Sequence, residues 1–276
     1  TLLDSTLLKD GPSADPVVIT AGTGFGKTEA FLFPVLFYST INLVCKTPRA
    51  YGPDAILVYP RIDLCNNQLE RYLWYAHCLR ESVAESPLSE GVLERRSDFM
   101  FRAVLGHSGV RPDTKDEPFQ VKCPFCKSNE DGPQGFIRFR ESPYGVGESY
   151  CSEDENHKPK SILLPKINKS CPGEFTVAIT TVDTLHRRLM DLHGRKTLWK
   201  NQDLLPRFIV LDEIHIYDGQ TGSHVANLAR RLKVYLGSIL NDGRRIPNPR
   251  APLFVGASAT VGNPETVGSA IFGVPA

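Results

Sequence analysis

The sequence lacks most of the features that would move it away from ordinary globular chemistry. No apolar run approaches the roughly 20 residues of a membrane span, and the longest, such as Phe31 to Phe37, contains Pro34. No basic-then-apolar leader opens it, so no membrane contact is expected. It lacks an excess of charge: 32 Lys and Arg against 31 Asp and Glu leave +1. That excludes a basic coat, and any nucleic-acid contact has to be local. Cysteine is scarce and odd in number, seven in all, which argues against a disulfide scaffold. It suits a reducing, cytoplasmic setting with some thiols on metal. Internal repeats are lacking. An initiating methionine is lacking too: the chain starts at Thr1 and ends in the loop-like Gly273-Val274-Pro275-Ala276, so it reads as a piece of a longer chain. Apolar residues are not in short supply. At 41% hydrophobic and 23% charged the chain can build a real core, which excludes wholesale disorder. Its length allows about two domains, or one large α/β domain with an insertion.

Strands and helices alternate along the chain. Strands are expected at residues 16–21, 55–60, 102–105, 176–180, 208–211 and 253–256. Helices are expected at about 27–39, 66–80, 182–192 and 223–240. On the last of these Val225, Leu228, Ala229, Leu232, Leu236 and Ile239 form one apolar stripe. Such alternation implies a parallel sheet covered on both faces. Between about Arg111 and Ser170 the pattern breaks into Pro, Gly, Ser and charge, read as an insertion.

The sharpest local signal is Ala21-Gly22-Thr23-Gly24-Phe25-Gly26-Lys27-Thr28. It follows a strand and opens a helix, the setting a phosphate-binding loop requires. Glycines let backbone N–H groups turn inward around phosphate oxygens, and the helix N-terminus adds its positive dipole end. Lys27 suits the β- and γ-phosphates of ATP, and the Thr28 hydroxyl suits Mg²⁺. Ala21 stands where the strict pattern has glycine. The second signal is Asp212-Glu213-Ile214-His215 at the end of an apolar strand, where α/β sheets bind ligands. Asp212 would hold Mg²⁺, and Glu213 would orient and deprotonate a water. Ser258-Ala259-Thr260 follows the last strand and carries no information alone.

Taken together, AGTGFGKTEAF, DEIH and SAT resemble motifs I, II and III of superfamily 2 helicases of the DEAH/DExH type. Val58 to Tyr72 resembles motif Ia, Gly106 to Gly109 the strand-binding loop after it, and Thr180 to Met190 motif Ib. The stretch LDEIHIYDGQTGSHVANLARRL is similar to large bacterial DNA helicases of repair and anti-phage defence. The resemblance spans about residues 16–262. It implies an α/β RecA-like P-loop fold, with residues 1–110 and 172–276 forming the first RecA-like domain around a cysteine-rich insertion at 111–171. The second RecA-like domain of the same polypeptide, with motifs IV to VI and the arginine fingers, lies outside this chain. By the same resemblance, His215, Ser258 and Thr260 couple nucleotide state to domain movement. Arg61, His107, Thr181 and Arg187 face the DNA strand, although Arg187 and Arg188 read equally well as a solvated helix face. A track of this kind needs only a few phosphate donors and loop N–H groups. The partners implied are DNA, as a single strand or a duplex with an end, and protein partners in a multi-subunit system. Two other readings use the same residues: a P-loop ATPase that remodels protein partners, and an inert zinc-bearing DNA-binding module. The intact Lys27, Thr28, Asp212 and Glu213 argue against the second of these.

Within the insertion, Cys123-Pro124-Phe125-Cys126 is a CxxC knuckle, followed by Cys151 and Cys171. Four thiolates make a closed tetrahedral site for a structural Zn²⁺, and His157 is able to replace either of the last two. Few apolar residues accompany them, so metal is expected to supply the stability. Cys45, Cys65 and Cys78 are expected to be packing residues.

Overall fold

A computed structural model describes residues 15–22, 24, 26–45, 53–85, 103–106, 121–126, 133–141, 147–157, 161–163, 176–191, 205–241, 243–248, 251–259 and 263–274. Its centre is a nine-stranded sheet. In chain order the strands are β1 (Val17–Thr20), β2 (Ala55–Tyr59), β3 (Ala103–Gly106), β4 (Ile137–Glu141), β5 (Gly147–Cys151), β6 (Ser161–Leu163), β7 (Val177–Thr181), β8 (Phe208–Leu211) and β11 (Leu253–Ser258). A separate antiparallel hairpin supplies β9 (Ser238–Asn241) and β10 (Arg244–Pro247). Across the sheet the order is β1-β11-β8-β2-β7-β3-β6-β5-β4. The seven strands from β1 to β6 pair in parallel, and β5 and β4 add antiparallel.

Parallel strands covered on both faces should be apolar throughout, and every residue of β2, β7, β8 and β11 is buried. The pleat sends alternate residues to opposite faces. Leu57 and Tyr59 pack with Phe31, Leu32 and Val35 of α1 (Lys27–Cys45) and with Cys65, Leu69 and Tyr72 of α2 (Ile62–Ala84). Ile56 and Val58 pack instead with Leu185 of α3 (Val182–Met190), Leu228 and Leu232 of α4 (Gly219–Leu236), and Phe272 of α5 (Pro264–Phe272). Burying each such aliphatic side chain contributes about 1.5–3 kcal/mol.

Three expectations needed correction. First, the insertion is not loop-like throughout: β4, β5 and β6 extend the main sheet, and Val121 and Ile137 join the core beneath α1 and α2. It therefore borrows apolar burial from the main domain. Second, α4 stops before Ile239. Gly237 caps it by donating its N–H to Lys233 O, Asn248 Nδ2 satisfies Leu236 O, and Ile239 enters β9. Third, α5 was missed, although Asn263 caps it by accepting from Thr266 N–H, Pro264 opens it and Gly273 closes it at φ 63°. Helices α1 and α2 also run longer than their periodicity indicated. Among the described residues, no helix is long and apolar enough to cross a membrane.

Candidate functional site

Motifs remote in sequence meet because β1, β11 and β8 are neighbours and parallel. Their carboxyl ends carry the phosphate loop, Ser258-Ala259 and Asp212-Glu213 side by side. Ala21 donates its N–H to Ser258 O at 3.4 Å. In the loop, Gly24 and Gly26 have φ of 84° and 73°, a conformation that L side chains resist. Lys27 begins α1 and Thr28 is buried behind it. Gly22 lies between β1 and this turn, whereas Thr23 and Phe25 fall outside the described residues.

Lys27 Nζ donates to both Glu213 carboxylate oxygens at 3.0 Å. The pair is only partly exposed, 13% for Lys27 and 26% for Glu213. Glu213 is the one non-glycine at positive φ among the described residues, at 53°. Such a backbone costs about 1–3 kcal/mol and recurs at functional sites. It aims the carboxylate across the gap at Lys27. The preceding residue, Asp212, is 3% exposed, and one of its oxygens accepts the Glu213 N–H at 2.8 Å. Burial pushes its carboxyl up to about 6; the adjacent Glu213 charge adds to this, while the N–H bond and Lys27 oppose it. This buried, poorly compensated carboxylate is well suited to a cation. Beside it, Ser258 Oγ on β11 is fully buried with no hydrogen-bond partner among the described residues. His215 bridges the motifs. Its Nδ1 lies 3.2 Å from Glu213 Oε2 and 3.4 Å from the Ala259 N–H. Protonated there it donates to Glu213; unprotonated it accepts from Ala259. Thr260 lies outside the described residues.

A support that the sequence did not reveal comes from α2. Tyr75 Oη donates to Glu29 Oε1 at 2.9 Å, and Arg71 Nη1 approaches the same oxygen at 3.4 Å. Both hold a carboxylate in the first turn of α1. Their spacing of four residues marks one helix face, but nothing in the sequence names Glu29 as the partner.

The strand-track candidates divide. Arg61 and Arg187 are exposed, and His107 lies outside the described residues. Thr181 is buried and its hydroxyl is committed to α3, accepting from Thr184 N–H and donating to Thr184 Oγ1 at 3.0 Å. The solvated-face reading fails for Arg188. It is 2% exposed, and its guanidinium lies where a side chain on Gly106 would stand.

The family model of the DEAD/DEAH box helicases matches residues 5–92. Over 111 residues, 40% of its length, the chain is 36% identical to the uncharacterized ATP-dependent helicase YprA of Bacillus subtilis (strain 168). An alignment of 266 residues, covering 80% of the chain, gives 27% identity to the Druantia protein DruE of Escherichia coli (strain UMEA 4076-1). These matches support a domain of the superfamily 2 DEAD/DEAH type, the first RecA-like one. The chain spans 13% and 14% of the lengths of these two relatives.

Toward the opposite edge of the helicase domain's sheet lies a second cluster. Ligand atoms of Cys123, Cys126, Cys151 and His157 all lie within 4.8 Å of one another. Cys126 Sγ is 3.5 Å from Cys151 Sγ and 3.6 Å from His157 Nδ1. Tetrahedral bonds of about 2.3 Å to sulfur and 2.0–2.1 Å to nitrogen give edges of about 3.8 and 3.6 Å, so the cluster can coordinate a metal. Backbone bonds shape it: Cys123 N–H to Gly135 O at 2.8 Å, and Cys151 N–H to His157 O at 3.1 Å. Burial pushes the Cys123 thiol up to about 12 and raises Cys126. Cys171 lies outside the described residues. Of the remaining cysteines with described side chains, Cys65 is buried as expected, whereas Cys78 is exposed.

Proposed function

We propose that this domain is the ATP-binding part of a motor that couples ATP hydrolysis to movement along, or unwinding of, DNA. The observation that carries the reading is the Lys27–Glu213 contact, which joins the phosphate loop to the acidic strand end across an intervening strand. Gly22 to Thr28 would cradle the phosphates of ATP, with Thr28 and Asp212 holding Mg²⁺. The metal, when bound, supplies charge neutralisation at the phosphates. Lys27 would then exchange Glu213 for phosphate oxygens. That frees the Glu213 carboxylate to orient a water and take its proton. His215 and Ser258, with Thr260, would report the change to the second RecA-like domain. The exposed Arg61 and Arg187, with His107, would contribute to the strand track, whereas Thr181 would serve it only by capping α3. We also place a structural Zn²⁺ in the insertion at 111–171, with Cys123, Cys126 and Cys151 among its ligands. The printed name of one relative, an ATP-dependent helicase, supports the motor, and from the resemblance of the motifs we assign it to the cytoplasm, with protein partners, in repair or in defence against phage.

The test uses the full-length protein. Lys27→Ala should lose ATP binding and DNA-stimulated hydrolysis, whereas Glu213→Gln should bind ATP and DNA together and not turn over. Wild-type turnover by Glu213→Gln overturns the reading.

A further inference from the structure

The described contacts place the Cys/His cluster against a helix of the motor itself. Phe125, between the two knuckle cysteines, stacks on the His157 ring with centroids 5.4 Å apart and planes at 27°. Two further neighbours belong to α2. The His77 ring meets it edge-on at 4.6 Å, and the Arg80 guanidinium carbon lies 5.9 Å from its centroid. His77 and Arg80 are three residues apart and so share one helix face. The distance to Arg80 is within cation–π range. His157 therefore takes part in two interactions: its Nδ1 belongs to the ligand ring, and its face supports the aromatic that touches α2. Its other nitrogen, Nε2, lies 3.6 Å from Asp154 Oδ2, an ion-pair distance rather than a hydrogen bond. Asp154 is itself held by an Asx turn, accepting the Asn156 N–H at 2.8 Å.

We propose that His157, not Cys171, completes the zinc site with Cys123, Cys126 and Cys151, and that the loaded site is a clamp that fastens the insertion to α2 through Phe125. This rests on the reading of the insertion as a zinc site. The clamp follows from the geometry. A metal fixes the imidazole plane, the fixed plane positions Phe125, and Phe125 covers the His77–Arg80 face. Helix α2 starts next to Arg61 and carries Arg71 and Tyr75 against Glu29 beside the phosphate loop. The clamp thus positions a helix that touches both the nucleotide end and the proposed DNA face of the domain.

The test uses full-length protein purified without added metal, then titrated with Zn²⁺ and, separately, with Co²⁺ as a spectroscopic probe. Wild type and Cys171→Ser should each bind one equivalent with the same affinity and the same visible tetrahedral thiolate spectrum. His157→Ala should bind at least tenfold more weakly. His157→Cys should keep the metal as an all-thiolate site with an altered spectrum. Phe125→Ala should keep metal affinity within about twofold. Hydrogen exchange along residues 74–82 reports the clamp. It should speed up on chelation, in Phe125→Ala and in His157→Cys, although the last two still hold metal. Absence of metal from every variant defeats the zinc reading itself. Metal that depends on Cys171 and not on His157 overturns the ligand assignment. Exchange along 74–82 that is unmoved by chelation and by Phe125→Ala overturns the clamp.

Discussion

Near one edge of the sheet, Gly24 sits at φ 84° with nothing within 4 Å of where a Cβ would stand. Toward the other edge, Gly135 has no such backbone, but a Cβ there would run into the sulfurs of Cys151 and Cys126. The first glycine is required for its conformation and the second for its smallness. The same contrast runs through both sites. The phosphate-loop site is assembled from segments nearly 190 residues apart, as in the Lys27–Glu213 contact, brought together by parallel strands. It keeps a strained Glu213 and a destabilised Asp212. The cysteine site is local, closed by a hairpin and a turn, and its groups face one another. Strain and mispaired charge suit a site that must change partners in a cycle, and convergent soft ligands suit one that must not change. The difference can be broken at either end.

The largest effect is expected from Glu213→Gln in the full-length motor. Removing the carboxylate should cost about 10²–10⁴ in hydrolysis while zinc content stays at one equivalent. Colorimetric phosphate release and metal analysis on the same preparation check both halves. A loss of metal in this variant would mean that the two sites are not independent.

Asp212→Asn comes next, and its effect depends on pH. The folded-state carboxyl sits at about 6 against an ordinary value of 3.8. Folded protein therefore takes up this proton at higher pH than unfolded protein, and the buried charge is a penalty above pH 6. In EDTA and without nucleotide, Asp212→Asn should be more stable than wild type by about 3 kcal/mol at pH 8. The advantage should shrink as pH falls below 6 and vanish only well below the ordinary value of 3.8, at about pH 3, where the carboxyl is protonated in folded and unfolded protein alike. Urea unfolding at four pH values reads this directly. A variant no more stable at pH 8 would show that the charge is already compensated.

Much of the phosphate-loop edge is legible in the sequence, because its chemistry is tied to short segments with fixed backbone demands. Gly24 and Gly26 announce the loop, and Val177 to Thr181 and Phe208 to Leu211 announce buried strands. What is illegible depends on partners remote in sequence. The burial of Arg188 on α3 depends on Gly106 of β3 leaving room for its guanidinium. Glu29 is held by a helix some 40 residues on. The insertion misled for a different reason: two of its apolar residues, Val121 and Ile137, add to an existing core rather than build one. At α4 a single Gly237 outweighed the stripe that Ile239 seemed to continue.

Gly135→Ala sharpens the comparison from the metal end. The added methyl should displace Cys151 and Cys126 and weaken zinc binding about tenfold, which is about 1.4 kcal/mol, with ATP affinity unchanged. A competition assay with a chromophoric chelator measures the first and nucleotide titration the second. Unchanged zinc affinity would mean that the hairpin yields easily, and that the closeness of the sulfurs is not set by Gly135.

The smallest effect is expected from Tyr75→Phe, and its direction is the informative part. Glu29 lies in the first turn of α1, where a carboxylate favours the helix dipole. The same helix end is where phosphates would bind, so the same charge opposes them. Glu29 Oε2 comes within 3.9 Å of where a Cβ on Gly26 would stand, which puts the carboxylate at the rim of the loop. Tyr75 and Arg71 both engage Oε1 from α2, turning the group toward the helix and offsetting part of its charge. Loss of the tyrosine hydroxyl removes a partly exposed hydrogen bond worth about 0.5–1.5 kcal/mol. The freed carboxylate gains access to the phosphate side, so ATP affinity should fall about two- to fivefold, and less at high salt, where the repulsion is screened. Glu29→Gln in the Tyr75→Phe background should restore it, because the repulsion goes with the charge. If Tyr75→Phe tightens ATP binding instead, the tyrosine is holding Glu29 toward the phosphates. In that case the acid serves the magnesium side of the site.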